Sequence, residues 1–372
     1  MAGTKRLRVL VVGQVPPPYH GQTIMTKVMV DQTYANAEII HVNAGFSDSV
    51  GNTGQLSARK IARLFRIASR ALVARVRQRT NVLYISPGGA NPGVVFRDMF
   101  LLALLRPVSR RTVFHLHARR LPQMVDALPT PLRAVARRLY ARPDYVIGAS
   151  RELVDELRVF SPKHSRLIPC GIEGDERRAR KAPGGPVEIL FLNLVCAVKG
   201  ADWLLEAFGE MRARGIDARL TLAGEVSPPE FEDQLHKRIY ELGVQDDVTF
   251  AGVLVGDQKW DAIHNADIFC VPTVHPTESF GLVFIEAASC GAAIVAADIE
   301  CVRDVLERDV SILLADPANR STLTDHLMRL SADETLRASM GDAARDAFLA
   351  RYTVERFRRD IDDVFADLAR DI

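Results

Sequence analysis

Short, almost wholly apolar runs recur along this chain with amphipathic stretches between them. That alternation constrains the fold more than any other feature. Runs of four to six residues such as Leu7–Val12, Val82–Ile85, Thr112–Leu116 and Tyr145–Gly148 carry apolar residues at nearly every position. Strands buried on both faces read this way, whereas half-exposed strands alternate. Glu38–Val42 and Arg166–Pro169 complete a first set of strands, with helices expected near Gly21–Gln32, Leu56–Arg79, Pro92–Leu105, Pro131–Ala141 and Arg151–Phe160. The pattern breaks at residues 173–186, which are charged and then rich in Gly and Pro. It restarts with Val187–Leu192, Ala218–Ala223, Asp247–Phe250, Asp267–Val271, Ala293–Ala296 and Val310–Leu313. Helices are expected between them near 201–214, 229–242, 258–265, 281–290 and 317–330, followed by a helical tail near 333–350 and 354–368. Strand–helix alternation builds parallel α/β sheets. A single core stops growing near ~250–300 residues, so 372 residues predict two domains: 1–172 and 187–350, joined by a linker at 173–186.

Composition excludes several classes. Apolar residues make up 48% and charged residues 25%, the values of an ordinary globular protein and not of a disordered or fibrous one. Five cysteines with no C-x-x-C pair indicate neither a zinc ribbon nor a disulfide framework. The start, MAGTKRLRVLVVG, has no signal-peptide apolar region, and the longest apolar run, Met99–Leu105, is far short of a membrane span. These features lead to the expectation of a cytoplasmic protein with reduced thiols. The near-neutral net charge hides an asymmetry: residues 1–172 hold 26 Lys and Arg against 9 Asp and Glu, and the remainder holds 22 against 37. A half-chain at +17 attracts polyanions, whether nucleic acid, phosphorylated substrates or an anionic membrane. Nucleic acid is disfavoured, since no aromatic platform or recognised motif accompanies the basic residues.

Four segments carry candidate chemistry. In VVGQVPPPYHGQT (11–23) a strand ends and Gly13 opens a loop before a helix. Glycine allows close backbone approach and a helix N-terminus holds anions, but no dinucleotide or Walker fingerprint is present, and an ordinary strand–helix loop reads the same. In TVFHLHARR (112–120) His115 and His117 share one strand face, with His117 nearer the carboxyl end where sites form. No third ligand stands at metal spacing. In FLNLVCAVKGADWLLEAF (191–208) Lys199 lies beside a helix start, as a phosphate clamp would and as a surface lysine also would. In PTVHPTESFGLVFIEAASCGAAIVAAD (272–298) Glu278 lies in a loop after a strand, and Glu286 sits in an apolar helix. A carboxylate there either points outward or is buried against hydrogen-bond donors such as sugar hydroxyls.

Taken in order, these segments resemble the retaining glycosyltransferases of the GT-B fold, family 4 of the sugar transferases, over nearly the whole chain. The most specific element is Glu278-SFGLVFI-Glu286. Ile168-Pro-Cys-Gly-Ile-Glu, the Lys199-Gly200 helix start and GVLVGDQKWDAIHNADIFCVP (252–272) accompany it. The resemblance implies two Rossmann-like domains facing across a cleft, with a last helix, 354–370, packing back on the first. The stripe Val354, Phe357, Ile361, Phe365 and Leu368 suits that burial.

The resemblance also implies roles. Glu286 would accept bonds from the donor's ribose, and Glu278 would hold hydroxyls of the transferred sugar. Lys199 would neutralise the diphosphate with the amides of Gly13 and of Ser279, Phe280, Gly281 and Leu282. His117 would lie by the reacting sugar, and the base near Gly252, Val253 and Leu254. Transfer would retain configuration and need no metal or other cofactor. The donor would be a nucleotide diphosphate sugar and the acceptor lipid-linked, saccharide or otherwise anionic, in surface polysaccharide or glycolipid synthesis. A nucleotide-sugar 2-epimerase of the same fold and a binding scaffold without turnover are the alternatives. Two positions depart from the family pattern. Leu194 stands where an arginine is common, with Lys27, Arg119 or Arg120 as possible substitutes, and Ile299–Asp304 replaces a Gly-Gly turn. Finally, Leu56–Arg79 places Ile61, Leu64, Phe65, Ala68, Leu72 and Val76 at helical spacing beside eight basic residues. A basic amphipathic helix reads as a membrane-surface element or as a helix packed on its own sheet with a solvated basic face; both hold if the apolar stripe faces the sheet and the arginines face lipid phosphates on the inner face of the cell membrane.

Overall fold

A computed structural model describes residues 6–45, 58–89, 91–175, 177, 184–276 and 278–370. The chain divides into two compact units, Met1–Ile172 with Val354–Ile372, and Glu173–Thr353. Of the stretch 173–186 read as a linker, residues 176 and 178–183 lie outside the described residues; Asp175 and Arg177 belong to the second unit, where Arg177 pairs with Asp175 and Asp261.

The first unit is built on one parallel sheet of β1 (Leu7–Gly13), β2 (Ala37–Asn43), β3 (Val82–Ile85), β4 (Arg111–Leu116), β5 (Tyr145–Gly148) and β6 (His164–Leu167), in the order β2-β1-β3-β4-β5-β6. Every residue of β3 and β5 is buried, as their unbroken apolar sequences require. Strand β6 begins two residues before the expected Arg166–Pro169. Ile168 N–H still donates to Gly148 O, but Pro169 has no N–H and the ladder stops. The helices are α1 (Gly21–Asp31), α2 (Ala58–Arg77), α3 (Pro92–Leu105), α4 (Leu121–Asp126), α5 (Thr130–Tyr140) and α6 (Arg151–Leu157); of the expected 56–79 helix, residues 56 and 57 lie outside the described residues. The side chain of Asn91 accepts from Val94 N–H and Pro92 opens α3, so both devices that start a helix act there. Sequence periodicity missed α4, a single short turn of helix behind a proline.

The second unit repeats the plan. Strands β7 (Val187–Leu192), β8 (Ala218–Ala223), β9 (Val248–Gly252), β10 (Ile268–Val271), β11 (Ala293–Ala297) and β12 (Leu313–Ala315) are parallel in the order β12-β11-β10-β7-β8-β9. The helices are α7 (Ala201–Ala213), α8 (Glu230–Leu242), α9 (Asp257–Asn265), α10 (Leu282–Cys290), α11 (Glu300–Arg303), α12 (Ser321–Ala332) and α13 (Glu334–Arg351). The expected strand at Val310–Leu313 is displaced to Leu313–Ala315, because Val310 and Ser311 turn back and donate to Glu307 O. Helix α11 occupies the Ile299–Asp304 segment.

The last helix, α14 (Val354–Arg370), belongs to the first unit. Its stripe of Phe357, Ile361, Val364, Phe365 and Leu368 is buried; Phe365 meets Tyr34 edge-on, and Asp362 accepts from the amides of Ala35 and Asn36.

In both sheets the strand order reverses direction once, between β1 and β3 and between β7 and β10. Open α/β sheets bind ligands beyond the carboxyl ends of strands at such a point.

Candidate functional site

In the second unit the reversal brings the exits of β7 and β10 side by side. The chain leaves β7 through a single 3-10 turn, Ala197–Lys199, which closes at Gly200. Gly200 has φ 82°, and a Cβ there would lie 2.3 Å from the carbonyl oxygen of Pro272. Only glycine lets the two exits pack this closely, and Val274 N–H seals them by donating to Val198 O at 3.0 Å. The packing sets Lys199 against the loop after β10, and its Nζ lies 2.5 Å from Oε2 of Glu278. Both side chains are mostly buried. His275, in the same loop, is driven toward its neutral form by burial and by Lys199, with Glu278 opposing.

Gly281, φ 77°, turns this loop into α10. Five residues on, Glu286 is only 8% exposed, so it does not point outward. Its Oε1 lies 2.9 Å from Nζ of Lys259, a residue of α9 whose ammonium also lies 4.2 Å from the ring centre of its neighbour Trp260. Lys259 escaped the sequence reading. The available signal was a lysine inside a segment already singled out, 252–272, on the helix that precedes β10. Phe280 turns inward against Tyr352 and leaves only its backbone to the loop, while Ser279, Gly281 and Leu282 are half-buried. Gly252 ends β9 with φ 65°, and its carbonyl accepts from Gly224 N–H at 2.7 Å. Beyond it Val253 is exposed and Leu254 half-buried, two strands away from β7 in the sheet. Leu194 is half-buried directly after Asn193, whose side chain accepts its amide. One lysine–carboxylate pair therefore stands just before α10 and a second at the middle of that helix. The lysines and helix amides suit a polyanion, and the carboxylates suit hydroxyl donors.

In the first unit Gly13, Thr26, Ser86, His115 and His117 line one small pocket at the carboxyl ends of β1, β3 and β4. Gly13 O lies 2.9 Å from His41 Nε2 and accepts from Ala44 N–H. Tyr84 Oη lies 2.5 Å from His115 Nδ1, and the His115 and His117 rings are 4.1 Å apart at their centres. Burial, reinforced by His20, pushes the pKa of His117 down to about 4, so its imidazole is neutral at neutral pH. His20, at the head of α1, was another residue the sequence did not single out. Of the cations considered as substitutes, Lys27 pairs with Asp31 and Arg119 with Glu152, while Arg120 takes a left-handed turn, φ 73°, whose amide donates to Glu156.

Residues 173–347 match the family model of the glycosyl transferases group 1. Among curated proteins the chain is 30% identical over 226 residues to a D-inositol 3-phosphate glycosyltransferase of Xylanimonas cellulosilytica, covering 56% of this chain and 53% of that one. It is 26% identical over 237 residues to a GDP-mannose-dependent alpha-(1-6)-phosphatidylinositol monomannoside mannosyltransferase of Mycobacterium tuberculosis, covering 59% and 61%. The chain spans about half the length of the curated relatives it matches. Among solved structures, Anabaena HepE in complex with UDP superposes with a TM-score of 0.72 at 18% identity, over 97% of this chain and all of that one. Sucrose-phosphate synthase from Thermosynechococcus elongatus superposes with 0.74 at 16%, over 99% and 100%. These superpositions show the fold.

Proposed function

We propose that the protein is a glycosyltransferase, a reading supported by the match of residues 173–347 to the group 1 glycosyl transferase model and by the GT-B fold. It transfers a sugar from a nucleotide diphosphate donor to a saccharide or lipid-linked acceptor with retention of configuration. The observation that carries this reading is the two Lys–Glu contacts, one just before α10 and one on it. A relative named as a GDP-mannose-dependent mannosyltransferase, and a structural neighbour solved with UDP, support the same donor class.

The chemistry follows from what the two pairs do when a donor arrives. A diphosphate competes with Glu278 for Lys199, and the carboxylate so released accepts hydroxyls of the sugar. Glu286 accepts the ribose diol while Lys259 balances its charge in a poorly hydrated setting. When the sugar–phosphate bond breaks, negative charge grows on the diphosphate, and Lys199 with the α10 amides stabilises it without reorganising. The acceptor oxygen bonds to the sugar on the face the phosphate leaves, and its proton passes to the departing phosphate oxygen. His117, held neutral, serves as a hydrogen-bonding and not a charged group. Lysine and backbone amides supply the positive charge, so we assign no metal to the step.

The deciding experiment is calorimetric titration with UDP and GDP, alone and as diphosphate sugars, followed by assay with saccharide and lipid-linked acceptors. Binding of a nucleotide diphosphate sugar that is weakened in Glu286→Gln, together with acceptor-dependent release of the nucleotide diphosphate, is the expected result. Failure to bind any member of the panel overturns the reading.

A further inference from the structure

The layer formed by α2, α3 and α5 presents large apolar side chains to solvent among arginines. The stripe expected to face the sheet is only partly covered. Ile67, Ala68 and Ala71 are buried, but Ile61 and Phe65 are exposed, Phe65 at 58%, and Val76 at 73%. Phe96 and Leu104 of α3, Val108 in the following loop, and Leu132 and Val135 of α5 are exposed as well. These residues belong to neighbouring elements. Phe65 meets Phe100 edge-on at 5.1 Å, Arg75 Nε donates to Val108 O at 2.7 Å, and α3 packs on α5.

Charge on the layer has one sign. Helices α2 and α5 contain no carboxylate, and the one in α3, Asp98, is fully buried and bonded to Gly88 N–H and Arg97. Arg66, Arg70, Arg77 and Arg138 are exposed there, while Arg137 pairs with Asp126 of α4 at the layer's edge. The carboxylates that α14 brings to this unit are engaged elsewhere, Asp360 and Asp363 with Arg166 and Asp362 with Ala35 and Asn36.

We propose that this three-helix layer docks on an anionic lipid membrane, with Phe65 and Val76 entering the interface and the arginines meeting lipid phosphates. An exposed apolar patch of this extent marks an interaction site. A surface whose three helices mix apolar side chains with cations and expose no carboxylate of their own matches a partner that is negative at its surface and apolar just beneath it. Guanidinium groups also suit phosphate oxygens geometrically. Among the described residues no helix is long and apolar enough to cross a membrane, so the attachment is peripheral. The inference goes beyond the transfer reaction and stands whether or not that reading holds, since vesicle binding is measured without a nucleotide sugar.

The test is co-sedimentation of the full chain with phosphatidylcholine vesicles, with and without phosphatidylglycerol, at low and high salt. Binding confined to the anionic vesicles and weakened by salt is expected. Reversing Arg66 and Arg70 to Glu lowers partitioning at least about tenfold. Phe65→Ser with Val76→Ser lowers it with an unchanged melting temperature, because both side chains are exposed. Phe65→Trp gives a blue-shifted emission on anionic vesicles, read against Trp203 and Trp260 of the second unit. Equal binding to neutral vesicles, indifference to salt, no binding, or concentration-dependent self-association abolished by the Phe65→Ser, Val76→Ser pair would each overturn the proposal, the last in favour of a protein interface.

Discussion

Lys259 and Glu286 come from different helices and meet at 2.9 Å where both are largely out of water. A carboxylate in the apolar segment Val283–Ala288 is tolerable because an ammonium from α9 reaches it. The same lysine holds the carboxylate of Glu286 in place, in the position where the proposed reading has it accept a ligand's hydroxyls. Replacing Glu286 by Gln removes a charged acceptor worth about 1.5–3 kcal/mol. Donor affinity is therefore expected to fall roughly 10- to 100-fold with the fold retained, as read by titration calorimetry and far-UV circular dichroism.

Lys259→Met acts differently, since it leaves Glu286 buried beside an apolar side chain. A melting temperature lowered by the equivalent of about 1–3 kcal/mol is expected, with partial recovery in the Lys259→Met, Glu286→Gln double variant. A thermal-shift double-mutant cycle measures the coupling. Strictly additive losses would show that the pair contributes nothing as a pair.

In the proposed reaction Lys199 neutralises the leaving diphosphate. Lys199→Ala is expected to lower turnover by about 10²–10³, comparable to losing one preorganised donor in other sites. In the same assay, excess chelator is expected to leave the wild-type rate unchanged. Abolition by chelator, with rescue by magnesium or manganese, would show that a metal supplies the charge instead.

The pH dependence follows from the buried histidines. His117 titrates near 4 in the folded chain and near 6.5 unfolded, and burial lowers His115 in the same direction. As pH falls through 6.5, the unfolded chain takes up protons that the native one refuses. The stability these residues contribute is thus fully present above about pH 6.5 and is lost progressively toward pH 4. Melting temperatures from pH 7.5 to 4 are expected to fall, and His117→Gln is expected to flatten the slope. A variant with the wild-type slope would show that His117 is not the group responsible.

The tail helix is a structural part of the first unit. Phe365 is fully buried between Tyr34 and Tyr84, so Phe365→Ala is expected to cost about 3–5 kcal/mol. Urea unfolding followed in the isolated signal of the first unit would report the loss. A destabilisation below 1 kcal/mol would place this ring outside the working core.

How much could be read without the structure depended on how local the governing physics is. The core strands were legible because a strand buried on both faces must be apolar at every position, and β3, β5, β10 and β11 are. Strand ends were less legible: Pro169 ends the β6 ladder and the Glu307 turn delays β12, and both effects depend on which partner offers a hydrogen bond. Helix α2 shows the limit of periodicity. Its apolar spacing correctly marked a helix, but the same stripe contains covered Ala68 and exposed Phe65 and Val76.

The sequence by itself determined two rounds of parallel α/β structure, the break near residue 173, the concentration of positive charge in the first half, and the segment holding Glu278 and Glu286. Each is a statement about spacing, composition or a contiguous motif, which solvent exclusion and backbone geometry impose on neighbouring residues. Only the tertiary structure decided which strands flank the reversals, that Gly200 brings Lys199 to Glu278, and that Lys259 pairs with Glu286. It also decided which apolar side chains remain in water. Those outcomes join residues 27 to 79 positions apart or depend on what a neighbouring helix covers, and a one-dimensional pattern carries no information about close packing between distant segments.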